Sequence, residues 1–279
     1  MKNIKHIIVP TDFSATARNA YYYAQVLAEA LDADLTVVHV KEYLLPASEI
    51  AVMPHFEDEN SLTDAMDEFV NLQSDDAPVM VKTKVRTKIL RGAAVDELVS
   101  FSAKNNVDLI VMGTTGLQDF VSKIIGTVSL EVANKAHCPV VLVPRDATWQ
   151  PINRIMFAAN YDSTSPKMVH EAIDFAELLG TSIHFVHVND NKADEDKLME
   201  TIWDELFAAS DPPVPFEMHT IQRGEVVEQL SKYINQQNID LVAFVNKKRN
   251  FWQNLMHRSV TQNVAISTEK PMLVLHYDD

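Results

Sequence analysis

The sequence contains little glycine, little cysteine and few positive charges. Its 279 residues include six glycines and one cysteine, Cys138, and 24 Lys and Arg stand against 39 Asp and Glu. A single cysteine excludes an intramolecular disulfide and is typical of a reducing compartment, so we expect a cytoplasmic location. The formal net charge of −15 argues against nucleic-acid binding, because neutralising phosphates requires clustered Lys and Arg.

Long apolar runs are also missing. No run approaches the roughly 18–20 residues that cross a bilayer, and the opening segment Met1–Pro10 lacks the apolar region of a signal peptide. We therefore expect no membrane contact and interpret the opening segment as a first strand. Apolar residues still make up 47% of the chain, which is enough for a packed core, and the length suits two domains.

An internal repeat divides the chain into two similar units. His6–Val40 aligns with Arg154–Val188 at an offset of 148, and both segments end in Val-His-Val. From Arg91-Gly92 onward the offset is 132, so that Asp108 matches Asp240 and Pro139 matches Pro271. We therefore predict two domains, 1–146 and 151–279, joined by a short segment. The extra residues of the first domain, around 46–78, are interpreted as a solvated excursion that contains a helix.

Each unit alternates strand and helix patterns. Short apolar runs predict five strands per unit. In the first unit they are Ile4–Pro10, Leu35–Val40, Val79–Val85, Val107–Met112 and Pro139–Val143. In the second they are Ile155–Ala159, Ile183–Val188, Val214–Thr220, Ile239–Val245 and Met272–Leu275. Helical spacing predicts helices at Ala17–Leu31, with Ser14 as N-cap, at Gly92–Lys104 and at Thr127–Ala136. This alternation predicts an α/β fold, with a doubly wound, Rossmann-like parallel sheet of order 3-2-1-4-5 in each unit, flanked by helices.

The predicted topology points to a binding crevice in the first unit. In this strand order, strands one and four are neighbours at the switch point, where ligands bind beyond the strand ends. Strand one ends at Pro10-Thr11-Asp12, and strand four ends at Met112-Gly113. Asp12 and the segment after strand four should therefore face the same crevice.

The segment after strand four is rich in glycine. Three of the six glycines, Gly113, Gly116 and Gly126, lie in this one stretch of 14 residues. Gly113 and Gly116 allow close approach of the backbone to a ligand. Gly126-Thr127 opens a helix, whose free N–H groups favour an anion, and Thr127 and Ser129 add hydroxyls. The pattern predicts a phosphate cradle beside Asp12, whose carboxylate suits ribose or base.

Each of these features has a plainer alternative. The glycine loop could be an ordinary surface loop, and Asp12 could serve as a cap for the helix that starts near Ser14. The loop is neither a Walker A motif nor the dinucleotide fingerprint Gly-x-Gly-x-x-Gly. The basic run Lys247-Lys248-Arg249 is interpreted as a solvated face, with an anion or partner site as the alternative. His39 and His187, which occupy equivalent repeat positions, are interpreted as structural.

The spacing Gly-x2-Gly-x9-Gly-[Ser/Thr] is met by Gly113, Gly116, Gly126 and Thr127. Together with the opening Val9–Ser14 and the run Cys138–Val143, it resembles the universal stress protein family, and the resemblance covers the whole chain as a tandem pair. It implies an adenine nucleotide alpha hydrolase-like fold, ATP binding and a role in stress survival. It further implies that Pro10, Thr11, Asp12 and Val40 contact adenine and ribose. The residues implied to line the ribose and phosphates are Met112, Gly113, Thr115, Gly116, Gly126, Thr127, Val128 and Ser129.

The second unit lacks this motif. Its positions equivalent to Gly113, Gly116 and Gly126 are Val245, Lys248 and Arg258, and the equivalent of Asp12 is Asn160. Val and Lys cannot adopt the backbone conformations of glycine without strain. We therefore predict that the second unit does not bind ATP in the same way and acts as a scaffold. In this role it would mimic the partner of a dimer, and the resemblance implies that the two units meet along their fifth strands.

Three functions remain open from the sequence. The first is a regulatory ATP-binding protein with one competent site, in which AMP or ADP could replace ATP, magnesium could accompany the nucleotide, and a regulatory protein or a second copy of the chain could be a partner. The second is a weak ATPase, although no Ser/His/Asp set, no paired carboxylates with an obvious base and no clear metal cluster are evident, and we assign no catalytic or metal-binding residue. The third is a nucleotide-free scaffold.

Overall fold

The computed structural model describes residues 3–42, 59–71, 84–114, 127–145, 147, 151–159, 165–188, 192–206, 213–221, 226–247 and 270–277. The first unit contains β1 (His6–Pro10), α1 (Ala15–Leu31), β2 (Asp34–Lys41), α2 (Glu59–Asn71), β3 (Val85–Arg91), α3 (Ala94–Lys104), β4 (Leu109–Thr114), α4 (Thr127–Lys135) and β5 (Val140–Pro144). The second contains β6 (Arg154–Ala159), α5 (Pro166–Leu179), β7 (Ser182–Val188), α6 (Lys192–Leu206), β8 (Phe216–Ile221), α7 (Val226–Gln236), β9 (Leu241–Lys247) and β10 (Met272–Tyr277).

The ten strands form one continuous sheet. Its order is β3-β2-β1-β4-β5-β10-β9-β6-β7-β8, so each unit has the predicted order 3-2-1-4-5, and the second unit runs in reverse across the sheet. Neighbouring strands within each unit are parallel. The units join where β5 and β10 pair antiparallel, with Leu142 opposite Met272 and Val140 opposite Val274. The doubly wound α/β fold class is therefore confirmed, and so is the meeting of the units along their fifth strands.

Two apolar clusters cover the two faces of the sheet, and each runs through both units. Successive side chains of a strand point to opposite faces, so Ile7 and Val9 join one cluster and Ile8 joins the other. The first cluster contains Ala20 of α1 and Ala172 of α5. The second holds the apolar faces of α3, α4 and α7. Helices on both faces bury the central strands, as a parallel sheet requires, whereas the edge strands β3 and β8 are partly exposed.

Residues shared by the two repeats support equivalent contacts. Asp108 accepts hydrogen bonds at Oδ2 from the backbone N–H of Lys5 (2.8 Å) and of His6 (2.9 Å) at the start of β1. Asp240 accepts the same pair of bonds at the start of β6, at 2.9 and 3.1 Å. The repeated Asp-Leu pair is therefore explained by strand pairing: each carboxylate satisfies backbone donors where a strand begins.

The predicted third strand of the first unit, Val79–Val85, is wrong in position. The strand is Val85–Arg91, which shares only Val85 with the prediction, and residues 79–83 lie outside the described part of the chain. β3 is an edge strand, and much of it is exposed. Its charged residues, such as Arg86, which pairs with Asp34 at 2.8 Å, conceal the apolar pattern on which the prediction relied. Edge strands commonly carry such charges.

The excursion of the first unit contains the predicted helix, but its helix is not simply solvated. On α2, the side chains of Leu62, Met66 and Phe69 are buried. The Arg18 side chain of α1 donates to the Phe69 carbonyl (3.1 Å) and lies 4.5 Å from the Phe69 ring centroid. Tyr21 donates to the Val70 carbonyl (3.1 Å), and burial raises the pKa of Tyr21 to about 12. The excursion therefore packs a helix against α1, the helix that begins at the predicted crevice.

Candidate functional site

The turn between β1 and α1 is held by a chain of short-range hydrogen bonds. The Thr11 hydroxyl accepts the N–H of Phe13 (2.9 Å), and Asp12 Oδ1 accepts the N–H of Ser14 (3.0 Å). The Ser14 hydroxyl accepts the N–H of Ala17 (3.1 Å), which makes Ser14 the N-cap of α1, as predicted. Asp12 is exposed, so its carboxylate both shapes the turn and retains lone pairs for a further donor.

Neighbouring strands fix this turn from the other side. The N–H of Thr11 donates to the carbonyl of Val38 (2.8 Å), and Nδ1 of His39 donates to the carbonyl of Thr11 (2.8 Å). The His39 ring lies 4.7 Å from the ring of Phe13, which in turn meets Phe69 of α2 edge-on at 5.9 Å. These contacts hold Thr11 and the following carboxylate in one place relative to the end of β2.

Phe13 has a left-handed backbone, with φ at 65°. For a bulky residue this conformation is a true outlier, and such strain persists only where the surroundings hold it. Here the hydrogen bond to Thr11 and the ring contacts with His39 and Phe69 supply that support. The strained turn directs the backbone from the tip of β1 into the first turn of α1.

At the end of β4, Gly113 lies directly under α1. A Cβ at Gly113 would lie 2.6 Å from the Thr16 carbonyl oxygen and 2.8 Å from its carbon. Both contacts are to backbone, so no side chain fits. The fold therefore requires glycine at this position, in addition to the close approach of a ligand that the sequence predicts. Without a side chain at Gly113, β4 can end close to the helix that carries Ser14.

The carboxyl ends of β1, β2 and β4 surround an open cleft of about 610 Å³ together with the first turns of α1, α3 and α4. This volume falls within the range of about 300–1,000 Å³ that is typical of small-molecule sites. Of the residues predicted to bind, those that line the cleft are Pro10, Thr11, Asp12, Val40, Met112, Gly113, Val128 and Ser129.

The remaining predicted residues are placed differently. Thr127 is the first residue of α4, so the predicted helix start after the glycine loop is present. Thr115, Gly116 and Gly126 lie outside the described residues. Eight of the predicted residues therefore line one cleft, at the switch point between β1 and β4.

The cleft also contains charged residues that the sequence reasoning missed. Lys41 and Glu42, at the end of β2, line it, as does His39. Glu42 accepts the N–H of Ala94 (3.0 Å) at the start of α3, a helix whose N-cap, Ala93, makes no side-chain cap. The position just beyond β2 was the available signal, because ligands bind at the carboxyl ends of parallel strands.

The electrostatics of the described lining are mixed. Two carboxylates, Asp12 and Glu42, lie toward β1 and β2, and Lys41 is the basic residue of the described lining. The first turns of α1, α3 and α4 also reach the cleft, and the amides of a helix start carry partial positive charge. The cleft therefore combines carboxylates with helix-start amides, which suits a ligand that carries both hydroxyls and negative charge.

The described residues include one cysteine and no cluster of potential metal ligands. Cys138 is buried, and burial raises the pKa of its thiol to about 12. The thiol therefore stays protonated near neutral pH, which removes its nucleophilic form. In the described ranges, no group of three or more His, Cys, Asp and Glu side chains is arranged to hold a metal ion. No helix in those ranges is long and apolar enough to cross a membrane.

The second unit differs at the corresponding place. Its strand β6 ends in Ala158-Ala159, the positions equivalent to Pro10 and Thr11, and β9 carries Val245 at the position of Gly113. The other equivalent positions, Asn160, Lys248 and Arg258, lie outside the described residues, as does the rest of the basic run after Lys247. The buried His187 occupies the position of His39.

Comparison with known proteins identifies the family of this fold. The model of the universal stress protein family matches residues 3–144 and again residues 151–276. A universal stress protein from Methanocaldococcus jannaschii is 30% identical over 148 residues, which cover 50% of this chain and 82% of that protein. Another, from Thermus aquaticus, is 30% identical over 139 residues, covering 50% of this chain and 98% of that protein.

A solved structure shares the whole two-unit arrangement. The crystal structure of a universal stress protein from Archaeoglobus fulgidus has a TM-score of 0.72 and 16% sequence identity, and covers 97% of this chain and 98% of that one. At this identity the likeness concerns the fold. Because the family match covers both units, the protein belongs to the universal stress protein family and is a tandem member of it.

Proposed function

We propose that the first unit binds an adenine nucleotide in the cleft at the ends of β1, β2 and β4, and that the chain acts as a regulatory binding protein. The observation that carries this proposal is the gathering of eight predicted residues around one cleft of suitable volume. The site residues that complete the proposal are Thr115, Gly116, Gly126 and Thr127.

The charges of the cleft give the ligand a direction. The phosphates would lie over the first turn of α4, where backbone amides attract an anion, and away from the carboxylates of Asp12 and Glu42. The ribose would then lie beside Asp12, because a carboxylate accepts hydrogen bonds from hydroxyls. The base would pack toward Val40 and Met112, two of the apolar residues of the described lining. Because the phosphates contact helix amides in this orientation, we propose that ATP is the ligand and that ADP or AMP binds more weakly.

The proposed role is regulation rather than catalysis. Occupancy of the cleft would alter the surface formed by the start of α1 and the end of β2, which a regulatory protein could read. The second unit would serve as a permanent partner through the β5–β10 pairing and would leave one nucleotide per chain. A magnesium ion, if bound, would accompany the phosphates and neutralise their charge.

Calorimetric titration of ATP tests the proposal. We expect one site per chain in the wild type and roughly tenfold or greater weakening in Asp12→Ala, because a charge-assisted hydrogen bond contributes about 1.5–3 kcal/mol. Asp12→Asn keeps an acceptor for the Ser14 N–H, so its loss of affinity reports the ligand contact alone. Asp204→Ala, an exposed carboxylate of α6, should bind like the wild type.

Two results would contradict the proposal. The absence of ATP binding by the folded wild type would favour a nucleotide-free scaffold, and two equivalent sites per chain would show that the second unit also binds. Phosphate release that disappears in Asp12→Ala would instead establish the weak ATPase.

A further inference from the structure

A histidine of the second unit contacts a helix of the first. His276, on β10, approaches the backbone carbonyl of Ala133, with Nε2 2.6 Å from the oxygen. A carbonyl can only accept, so His276 donates from Nε2. Ala133 belongs to α4, the helix whose first turn contributes Val128 and Ser129 to the cleft. One hydrogen bond therefore connects the unit without the glycine motif to a helix of the proposed nucleotide site.

The bond lies at the C-terminal end of α4. Ala133 is in the last turn of that helix, which ends at Lys135. A histidine beside a helix C-terminus also suits the partial negative charge there. Around the bond, Val132 and Ala133 are fully buried and share an apolar cluster with Met272 and Val274 of β10. α4 thus packs across the boundary between the units, and His276 supplies a directional contact there.

The residue that makes this contact is not shared by the two repeats. At the offset of 132, the residue of the first unit equivalent to His276 is Pro144. Proline has no side-chain donor, so β5 cannot make the corresponding bond to the second unit. The repeat is therefore asymmetric at the boundary: the second unit holds a helix of the first with a side chain that the first unit does not possess.

We propose that His276 is a positioning residue for the nucleotide site: by holding the last turn of α4, it sets the place of the first turn, which faces the phosphates. The inference rests on the proposed function and assigns the second unit a direct part in it. Because a helix is stiff over nine residues, a change at Ala133 is transmitted to the amides at Thr127–Ser129.

The test compares His276→Leu, which fills the space without a donor, with His276→Gln, whose amide nitrogen can reach the same carbonyl. His170→Leu, a substitution on α5 of the second unit, is the matched control. Each protein is titrated with ATP and with adenosine, and amide hydrogen exchange is measured across Thr127–Lys135. If His276→Leu does not fold, His276→Asn replaces it, because its shorter amide cannot reach Ala133.

We expect His276→Leu to bind ATP about 3- to 10-fold more weakly, the range for one hydrogen bond, while its affinity for adenosine is unchanged. Exchange in α4 should accelerate in the same variant. His276→Gln and His170→Leu should behave like the wild type in both measurements. The loss confined to ATP separates positioning of the phosphate side from general destabilisation.

The two proposals fail in different ways. If the wild type binds neither ATP nor adenosine, the proposed function fails, and faster exchange in α4 of His276→Leu, restored by Gln, still supports the coupling of the units. If the wild type binds ATP but His276→Leu retains full affinity and normal exchange, the role of His276 is overturned. Equal losses in the Leu and Gln variants would overturn it as well.

Discussion

At the scale of single residues, Gly113 has little freedom to change. We expect Gly113→Ala to destabilise the protein by about 1–3 kcal/mol, as overpacking does, because the new Cβ would lie 2.6 Å from the Thr16 carbonyl oxygen. Relief requires α1 to move away from β4, which displaces Ser14 and widens the cleft. Urea unfolding measures the first effect, and ATP titration should show weaker binding in the same variant.

Gly180→Ala is the matched control. Gly180 has φ of 63°, but a Cβ there would meet nothing within 4 Å. We expect Gly180→Ala to lower the free energy of unfolding by about 1 kcal/mol, because a residue with a Cβ is strained in a left-handed conformation. The ATP affinity of this variant should be unchanged. If Gly113→Ala were no more harmful than Gly180→Ala, the close approach of β4 to α1 would not limit this position.

Individual cleft residues differed in how well the sequence predicted them. Asp12 and Gly113 follow directly from strand ends and glycine spacing. His39 was interpreted as structural, and its bond to the Thr11 carbonyl agrees, but its ring also lines the cleft. The place of Glu42 depends on a hydrogen bond to Ala94, 52 residues away. A contact of that range depends on the register of β2 against β3, which no local pattern contains.

At the scale of elements, the C-termini of α1 and α5 invite a stabilising substitution. Asp32 ends α1 and Gly180 ends α5, at equivalent repeat positions, and both are left-handed, with φ of 50° and 63°. A left-handed cap favours glycine because it has no Cβ. We expect Asp32→Gly to stabilise the protein by about 0.5–1 kcal/mol, which urea unfolding would detect.

The same substitution removes the pair between Lys5 and the fully exposed Asp32. Exposed ion pairs contribute little, so the gain in backbone conformation should prevail. Asp32→Ala separates the two effects, since it loses the pair and gains no glycine. If Asp32→Gly lowers the free energy of unfolding as much as Asp32→Ala does, the contacts of Asp32 with Lys5 outweigh the strain of the cap.

Strands with an uninterrupted apolar pattern were predicted well. β1, β4 and β5 are covered by helices, so their apolar runs are continuous and indicated the strands within one or two residues. β3 failed because its charges, such as Arg86 and Lys88, interrupt the pattern, whereas β8, the other edge strand, was predicted within two residues. α2 was predicted as a helix in a solvated excursion, yet Phe69 is buried. Its burial depends on Tyr21 and Arg18 of α1, contacts between elements that lie about 50 residues apart.

At the scale of the whole molecule, the two units share one hydrophobic core. Both apolar clusters include residues from each unit, and β5 and β10 are hydrogen-bonded neighbours. Asn19 of α1 fixes the start of the joining segment against the first unit, since its side-chain amide donates to the carbonyls of Pro144 (3.0 Å) and Ala147 (2.7 Å). Separate domains usually meet through smaller, more polar interfaces and unfold independently.

We therefore expect one cooperative unfolding transition for the whole chain, with calorimetric and van't Hoff enthalpies that agree. Native-state hydrogen exchange gives the sharper test. Amides of β2 in the first unit and of β7 in the second should open with the same free energy, and Leu273→Ala, fully buried on β10, should lower both by about 2–5 kcal/mol. If Leu273→Ala lowers protection in β7 and leaves β2 unchanged, the units fold separately.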